Sequence, residues 1–289
     1  MIPSALGRLG GVRTVSITSN QTNYNLRTAL GSPAGAMQIV VKIASGVTIS
    51  SSSAGVPAFD EGAGWASGTT ISIVNAGSIY GAGGNGGDGG AATNLYNPPH
   101  TKSVSNASSG STGGSALKLT ASTTITNASG HIFGGGGGGG GGGSMYMNVE
   151  DAESYQMVVG GGGGGGGRGP NLAGAGSGGV ATSDVPAIQD NGSAGVAGSF
   201  SAGGAGGLGG DGLVIAGVDL QGGSGNTGGD WGTAGSAGSL ADDPSSLATN
   251  SARGAVGAGG AGGKAVDLNG QTLTWISGND PSRVKGAVS

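Results

Sequence analysis

The run GGGGGGGGGG occupies positions 134–143, and GGGGGGGG follows at 160–167. Bare glycine is a poor former of both α-helix and pleated strand, since it loses the most backbone freedom and brings no side chain to pack. The flanking glycines show what the backbone does instead. Ala82, Asn85, Asp88 and Ala91 recur every third position with paired glycines between them, as do Ala202, Ala205, Leu208 and Asp211, and then Ala258, Ala261 and Lys264. Gly192, Gly195 and Gly198 keep the same beat, and so do Gly229, Gly232, Gly235 and Gly238. Three residues per turn is the period of the left-handed extended helix, which rises about 3.1 Å per residue and makes no internal hydrogen bonds.

Every amide of such a helix therefore needs a partner outside its own segment. Ordering ten glycines costs about 10–20 kcal/mol, and ten net hydrogen bonds return only about 5–15 kcal/mol. A single strand cannot stay ordered, but a bundle can, because its members satisfy one another. A helix enclosed on all sides tolerates no Cβ; one at the rim can carry a side chain on its free face. The sequence thus predicts 134–143 and 160–167 inside a bundle and the triplet tracts around them. At about 3.1 Å per residue, the longer tract spans about 31 Å. Collagen does not fit, because it wants one glycine per triplet and abundant proline, and these tracts are short and nearly proline-free.

The chain has 289 residues, 73 of them glycine, and only 11 glycines fall within residues 1–80. That shift marks a boundary near Gly81. A net charge of −4 and a mean hydropathy of +0.02 do not fit a disordered polar chain. There is no cysteine, hence no disulfide or thiolate chemistry. The N-terminal residues lack the basic and apolar regions of a signal peptide. No stretch approaches the ~18 apolar residues of a membrane span. Weak acidity with scattered Lys and Arg argues against nucleic acid as a partner.

Residues 1–80 alternate in period two: Val15 and Ile17, then Ile39, Val41 and Ile43, then Val47 and Ile49, then Ile71 and Ile73. Each set marks one face of a half-buried strand. The expected fold is all-β and irregular, with a small N-terminal β domain at 1–80 and an extended-glycine sandwich with variable loops at 81–289. An internal repeat links the two. Thr69-Thr70-Ile71, Asn75-Ala76 and Ile79-Tyr80-Gly81 lead into one glycine tract, and Thr123-Thr124-Ile125, Asn127-Ala128 and Ile132-Phe133-Gly134 into another. Stacked units sharing one core are expected.

In Ile79–Gly87, in both pure tracts and in Gly259–Ala265, the chain resembles the adhesin at the tip of T-even-type bacteriophage long tail fibres, across roughly residues 70–270. The resemblance implies a sandwich of polyglycine helices whose variable segments bind a host receptor. It also implies an N-terminal part that clamps one adhesin onto a trimeric fibre, whereas the residues themselves leave a homotrimer open.

Catalytic chemistry finds little support. His131 sits inside the repeat and reads as packing; His100 lies in Asn97-Pro98-Pro99-His100 without acidic, His or Cys neighbours at metal-ligand spacing. No metal or cofactor is expected. No carboxylate can be singled out to orient a Ser-His pair, and Glu150, Asp151 and Glu153 read as a solvated face. The glycine tracts lack the Lys-Ser/Thr that ends a phosphate-binding loop.

The scarce aromatic and methionine residues instead gather where the glycine frame is interrupted. The insert 92–113 holds Tyr96, His100 and Lys102; 144–159 holds Met145, Tyr146, Met147, Tyr155 and Met157; 168–191 holds Arg168, Asp184 and Ile188; Trp231 follows Asp230, and Asp242-Asp243-Pro244 makes an acidic turn. Such side chains on loops are typical binding anchors, or they cap the ends of the bundle. Trp275 alternates with Leu273 and reads as core. The leading reading is a non-enzymatic virion adhesin. Its partners are a host outer-membrane protein or surface glycan and, through residues 1–80, a tail-fibre protein. A structural fibre, decoration or connector protein is the alternative, and an ice-binding protein a more distant one.

Overall fold

The computed structural model describes residues 10–149, 155–184, 189–211, 220–242 and 248–289. The fold is nearly all-β; the single α-helix among the described residues is the one-turn Leu26–Ala29.

The period-two segments form parallel strands in three stacks. Gly10–Ile17, Met37–Ile43, Thr70–Asn75, Ser122–Thr126 and Leu273–Ser277 make the first sheet; Gln21–Thr22, Thr48–Ser50, Ser78–Tyr80, His131–Phe133 and Val284–Lys285 the second; Tyr24–Asn25, Phe59–Asp60, Leu117–Lys118 and Val266–Asp267 the third. The chain visits the sheets in the same order on each pass, so the strands coil into a five-turn β-solenoid. Each turn packs only on its neighbours, as in other solenoids.

Alternation points one face of every strand inward, and register stacks like on like. Val41, Ile73, Ile125 and Trp275 form one column, Ile49, Ile79, Ile132 and Val284 a second, and Tyr24, Phe59, Leu117 and Val266 a third. Ile49, Phe59, Ile73, Ile79, Leu117, Ile125 and Ile132 have no exposed surface, and Leu273 and Trp275 pack on this core half-buried. At the corner of the repeat, buried Asn75 donates from Nδ2 to Oδ1 of buried Asn127 at 2.8 Å.

The internal repeat is thus a pair of stacked turns, with one correction of register. Ile71 lies beside Thr123 and Ile73 beside Ile125, so the Thr-Thr-Ile motifs are offset by two residues, whereas Ile79 and Ile132 pair as aligned. A two-residue slip keeps every side chain on its face, so hydrophobic pattern alone cannot detect it.

A second correction concerns the boundary at residue 80. Strands from 117–133 and 266–285 return to the same three sheets, so chain on both sides of Gly81 builds the solenoid. The glycine segments are two excursions, 81–114 and 134–264, that leave after the second sheet and re-enter at the third.

The described residues of those excursions contain ten extended segments: 81–90, 105–114, 134–143, 160–167, 173–180, 191–199, 202–210, 222–229, 232–239 and 254–263. Every third amide bonds the same neighbour. Gly135, Gly138 and Gly141 donate to Gly114, Ser111 and Ser108 at 2.9–3.1 Å, the falling partner number marking antiparallel neighbours. Segment 134–143 donates to 105–114, 160–167 and 232–239 and accepts from 81–90, 222–229 and 254–263. Segment 160–167 donates to 81–90, 191–199 and 222–229 and accepts from 134–143, 173–180 and 202–210. The two pure tracts are the two segments with six neighbours, and the other eight ring them in a hexagonal array.

Both tracts are buried throughout. A Cβ at any residue from Gly134 to Gly142 would stand 1.8–2.0 Å from a neighbour's carbonyl oxygen. On the rim, Asn85, Asp88, Ala202, Ala205, Leu208, Asp211, Ala258 and Ala261 point outward as the triplets predict. Ala82 does not: it is fully buried, because there the segment has just left strand Ser78–Tyr80 and still abuts the solenoid. Segments 105–114 and 173–180, read as parts of inserts, belong to the frame. In 105–114 glycines are sparse because most positions face solvent, whereas 173–180 exposes one position in three.

Candidate functional site

Antiparallel alternation gathers five connections at the end of the bundle away from the solenoid: 91–104, 144–159, 181–190, 211–221 and 240–253. The near end has only the tight turns at 168–172, 199–202 and 230–231 and the solenoid itself. The described residues of four of these connections build a head of two small sheets. Lys102–Val104, Ala92–Asn94 and Ala181–Ser183 form one small sheet; Gln189–Asp190, Tyr155–Val159, Met145–Val149 and Ala248–Arg253 form another.

Strand alternation decides which of the expected anchors remain available. Met145 and Met147 share a face and are fully buried with Met157, Val159, Leu220 and Ala241. They are core residues of these connections, with no exposed surface in this conformation. Tyr146 points the other way and is half-buried beside Val158, Ala92, Ala181 and Val104. Tyr155 lies opposite Val149; its side chain, like Glu150, Asp151, Glu153, Ile188, Asp243 and Pro244, lies outside the described residues.

Trp231 lies at the opposite end and is 3% exposed. It stacks on Tyr80 at 5.0 Å, with Phe200 edge-on at 5.5 Å, and the Arg168 guanidinium covers it at 5.1 Å. Arg168 also pairs with Asp230 at 2.6 Å. Trp231 therefore packs between the bundle and the solenoid and offers almost no surface. It is placed there because Gly232 must return to bond Gly134 at the base of the central tract. His131 packs against Phe133, ring centroids 5.2 Å apart.

Tyr96, His100 and Lys102 do come together. All three are exposed, and with Leu95, Asn148 and Gln156 they line a concavity of about 210 Å³ on the head. The Tyr96 and His100 rings meet edge-on at 5.8 Å. The loop is fastened at both ends: Leu95 N donates to Thr101 O at 2.8 Å, and Tyr96 N and Asn97 N donate to the two carboxylate oxygens of Asp184 at 2.8 and 2.5 Å. Those amide donors hold the Asp184 carboxyl below the usual carboxylate range. Asn94 Nδ2 donates to Asn148 Oδ1 at 2.8 Å and ties the two small sheets together.

The sequence reading passed over Asn148 and Gln156 and gave Asp184 no role. Period two in Tyr155-Gln156-Met157 carries a signal for Gln156, since burial of Met157 on one face sends Gln156 to the other. Nothing in the sequence pairs Asp184 with Tyr96, 88 residues away.

No described helix is long and apolar enough to cross a membrane, and the described residues hold no group of three or more His, Cys, Asp or Glu able to share a metal. No curated protein and no solved structure matches the chain. A family model described as phage tail fibre adhesin Gp38 matches residues 12–288. Because that match spans solenoid, glycine lattice and head together, the chain belongs to the phage tail fibre adhesin Gp38 family and is a component of the virion tail fibre.

Proposed function

We propose that this adhesin recognises a receptor on the host surface, an outer-membrane protein or a surface glycan, through the connections at the far end of its glycine lattice. It does so without catalysing a reaction. The observation that carries this reading is the fastening of the Tyr96–Lys102 loop. Its backbone is held by Asp184 from another connection while Tyr96 remains 59% exposed. An aromatic side chain presented on a preordered loop loses little further freedom on contact, which is how preorganisation raises affinity. Below it, a lattice in which every central amide is bonded supplies a rigid base.

The solenoid, with residues 1–80 supplying its first turns, is proposed as the seat on the tail-fibre protein. Gly10–Ile17 ends the first sheet with one side of its backbone unpaired among the described residues, and such an edge is ordinarily covered. A closer kinship with T-even-type tip adhesins is part of the same proposal. Exchanging the far-end connections for unrelated ones, and following which bacteria adsorb the particle, tests the reading. A changed host range with intact particles supports it. Unchanged adsorption after exchange of all five connections rejects it, and assembly defects alone would mark a purely structural fibre component.

A further inference from the structure

Four of the ten lattice segments are continuous with solenoid strands. Segment 81–90 follows directly on Ser78–Tyr80 and 134–143 on His131–Phe133, while 105–114 leads into Leu117–Lys118 and 254–263 into Val266–Asp267. The four also adjoin one another. Segment 134–143 bonds to each of the other three. Segment 105–114 donates to 81–90 from Ser108, Ser111 and Gly114, and to 254–263 from Ala107, Gly110 and Gly113, at 2.7–2.9 Å. Together they make one block standing on the solenoid.

The other six, 160–167, 173–180, 191–199, 202–210, 222–229 and 232–239, join one another at the near end through the turns at 168–172, 199–202 and 230–231 and enter no solenoid strand. They hang on the block by lateral hydrogen bonds, such as Gly164 N to Gly87 O at 2.8 Å and Gly229 N to Gly137 O at 2.7 Å, and by the stacking of Trp231 on Tyr80.

This division decides how each far-end connection takes a load. A segment rising about 3.1 Å per residue is already near the ~3.3–3.6 Å limit of a fully extended chain, so it can lengthen by only about a tenth. An α-helix, at about 1.5 Å per residue, could more than double its length. A pull on 91–104, which joins 81–90 to 105–114, therefore meets taut backbone running into the solenoid on both sides. A pull on 211–221 meets 202–210 and 222–229, whose near ends turn back, and only lateral contacts resist it. Those bonds lie across the segments and are sheared together, but each is weak beside a covalent bond.

We propose that the four anchored segments are a load-bearing tether, carrying tension from the connection 91–104, with its Tyr96–Lys102 loop, to the solenoid through extended backbone, and that the six hung segments lie outside that path. This rests on the reading that host and fibre are met at opposite ends of the molecule, and it names the connection through which tension between them is borne.

Single-molecule pulling on the full chain tests it. The chain has no cysteine, so two introduced thiols make unambiguous handles. One variant carries Lys102→Cys and Lys118→Cys and loads 105–114; the other carries Gln221→Cys and Asn269→Cys and loads 222–229 and 232–239, all four sites being exposed or half-buried. The first pair should release no stored length up to the force at which the second gives way. The second should give way with a gain of more than about 100 Å, since its handles stand about one segment length apart with residues 222–268 folded back between them. Should Gln221→Cys disturb folding, as read by amide exchange of 134–143, Asp211→Cys takes its place. Release of stored length by the first pair below that force would show a slack segment, and survival of the second pair to the forces the first withstands would show that hung segments transmit load equally; either overturns the proposal. If host range follows loop exchange while the first pair releases length, the tether falls and the receptor reading stands. If the handles behave as described while loop exchange leaves adsorption unchanged, the receptor reading falls and the tether stands.

Discussion

The ring of Tyr80, the last residue of a solenoid strand, stacks on Trp231, which lies in the turn between two glycine segments, with centroids 5.0 Å apart and planes 21° from parallel. A coil of strands and a lattice of bare backbone have little in common to pack with, and this aromatic joint, closed by Arg168 and Phe200, supplies it.

Trp231→Ala should therefore destabilise the protein by about 3–5 kcal/mol, the usual cost of truncating a buried Trp. Chemical denaturation reads this directly. A loss under about 1 kcal/mol would mean that the joint contributes little beyond the lattice bonds.

Gly138→Ala should prevent folding of the lattice, because the added methyl would sit 1.8 Å from the carbonyl oxygen of Asn85. Asn85→Ala, on the outer face, removes only an exposed bond from Gly174 N and should cost about 0.5–1.5 kcal/mol. Soluble yield and thermal melting of the two variants should differ sharply.

Amide exchange gives a third check. Glycines 134–143 should be among the slowest-exchanging residues despite having no helix or strand, since each donates to a neighbouring segment. Exchange at free-peptide rates would contradict the lattice.

Glu61 is buried without a cation, and burial raises its pKa to about 7, although Thr123 Oγ1 and the amides of Thr120 and Ala121 donate to it. Its folded pKa lies above its ordinary value of 4.5, so folding favours the protonated form. The stability contributed is complete below about pH 4.5 and is lost as pH rises through about 7, a difference of about 3 kcal/mol. Gln at this position can still accept from both amides and donate to the Thr123 hydroxyl. Glu61→Gln should raise the melting temperature at pH 8 and flatten the profile between pH 5 and 8; an unchanged profile would refute the assignment.

Asp184→Ala should free the amides of Tyr96 and Asn97 and speed their exchange while leaving global melting unchanged. Under the proposed function it also weakens adsorption to host cells. Full adsorption with a demonstrably loosened loop would remove that loop from the recognition surface.

How far each part was legible depends on the range of the interaction behind it. Glycine tracts were readable residue by residue, because exclusion of a Cβ is imposed at each position by the adjoining segment, and the number of bare positions per triplet reports how enclosed the segment is. Ser105–Gly114 was misread for the same reason. On the rim, serine and alanine are as acceptable as glycine, and the tract looks like an insert. The three-sheet coil was missed because its returning strands, Leu117–Lys118 and Val266–Asp267, are two residues long, too short for any period to register.

The sequence by itself determined the extended-glycine conformation, the enclosure of 134–143 and 160–167, the β character of the opening residues and the stacking of the two repeats. Each follows from local sterics or from a periodicity written into consecutive residues. Tertiary structure alone decided that Trp231 and Tyr96 stand at opposite ends, that Met145 and Met147 face inward, and that Asp184 meets Tyr96. Those outcomes depend on the up-and-down order of ten segments and the pairing of their distant connections, and such pairings leave no trace among neighbours in the chain.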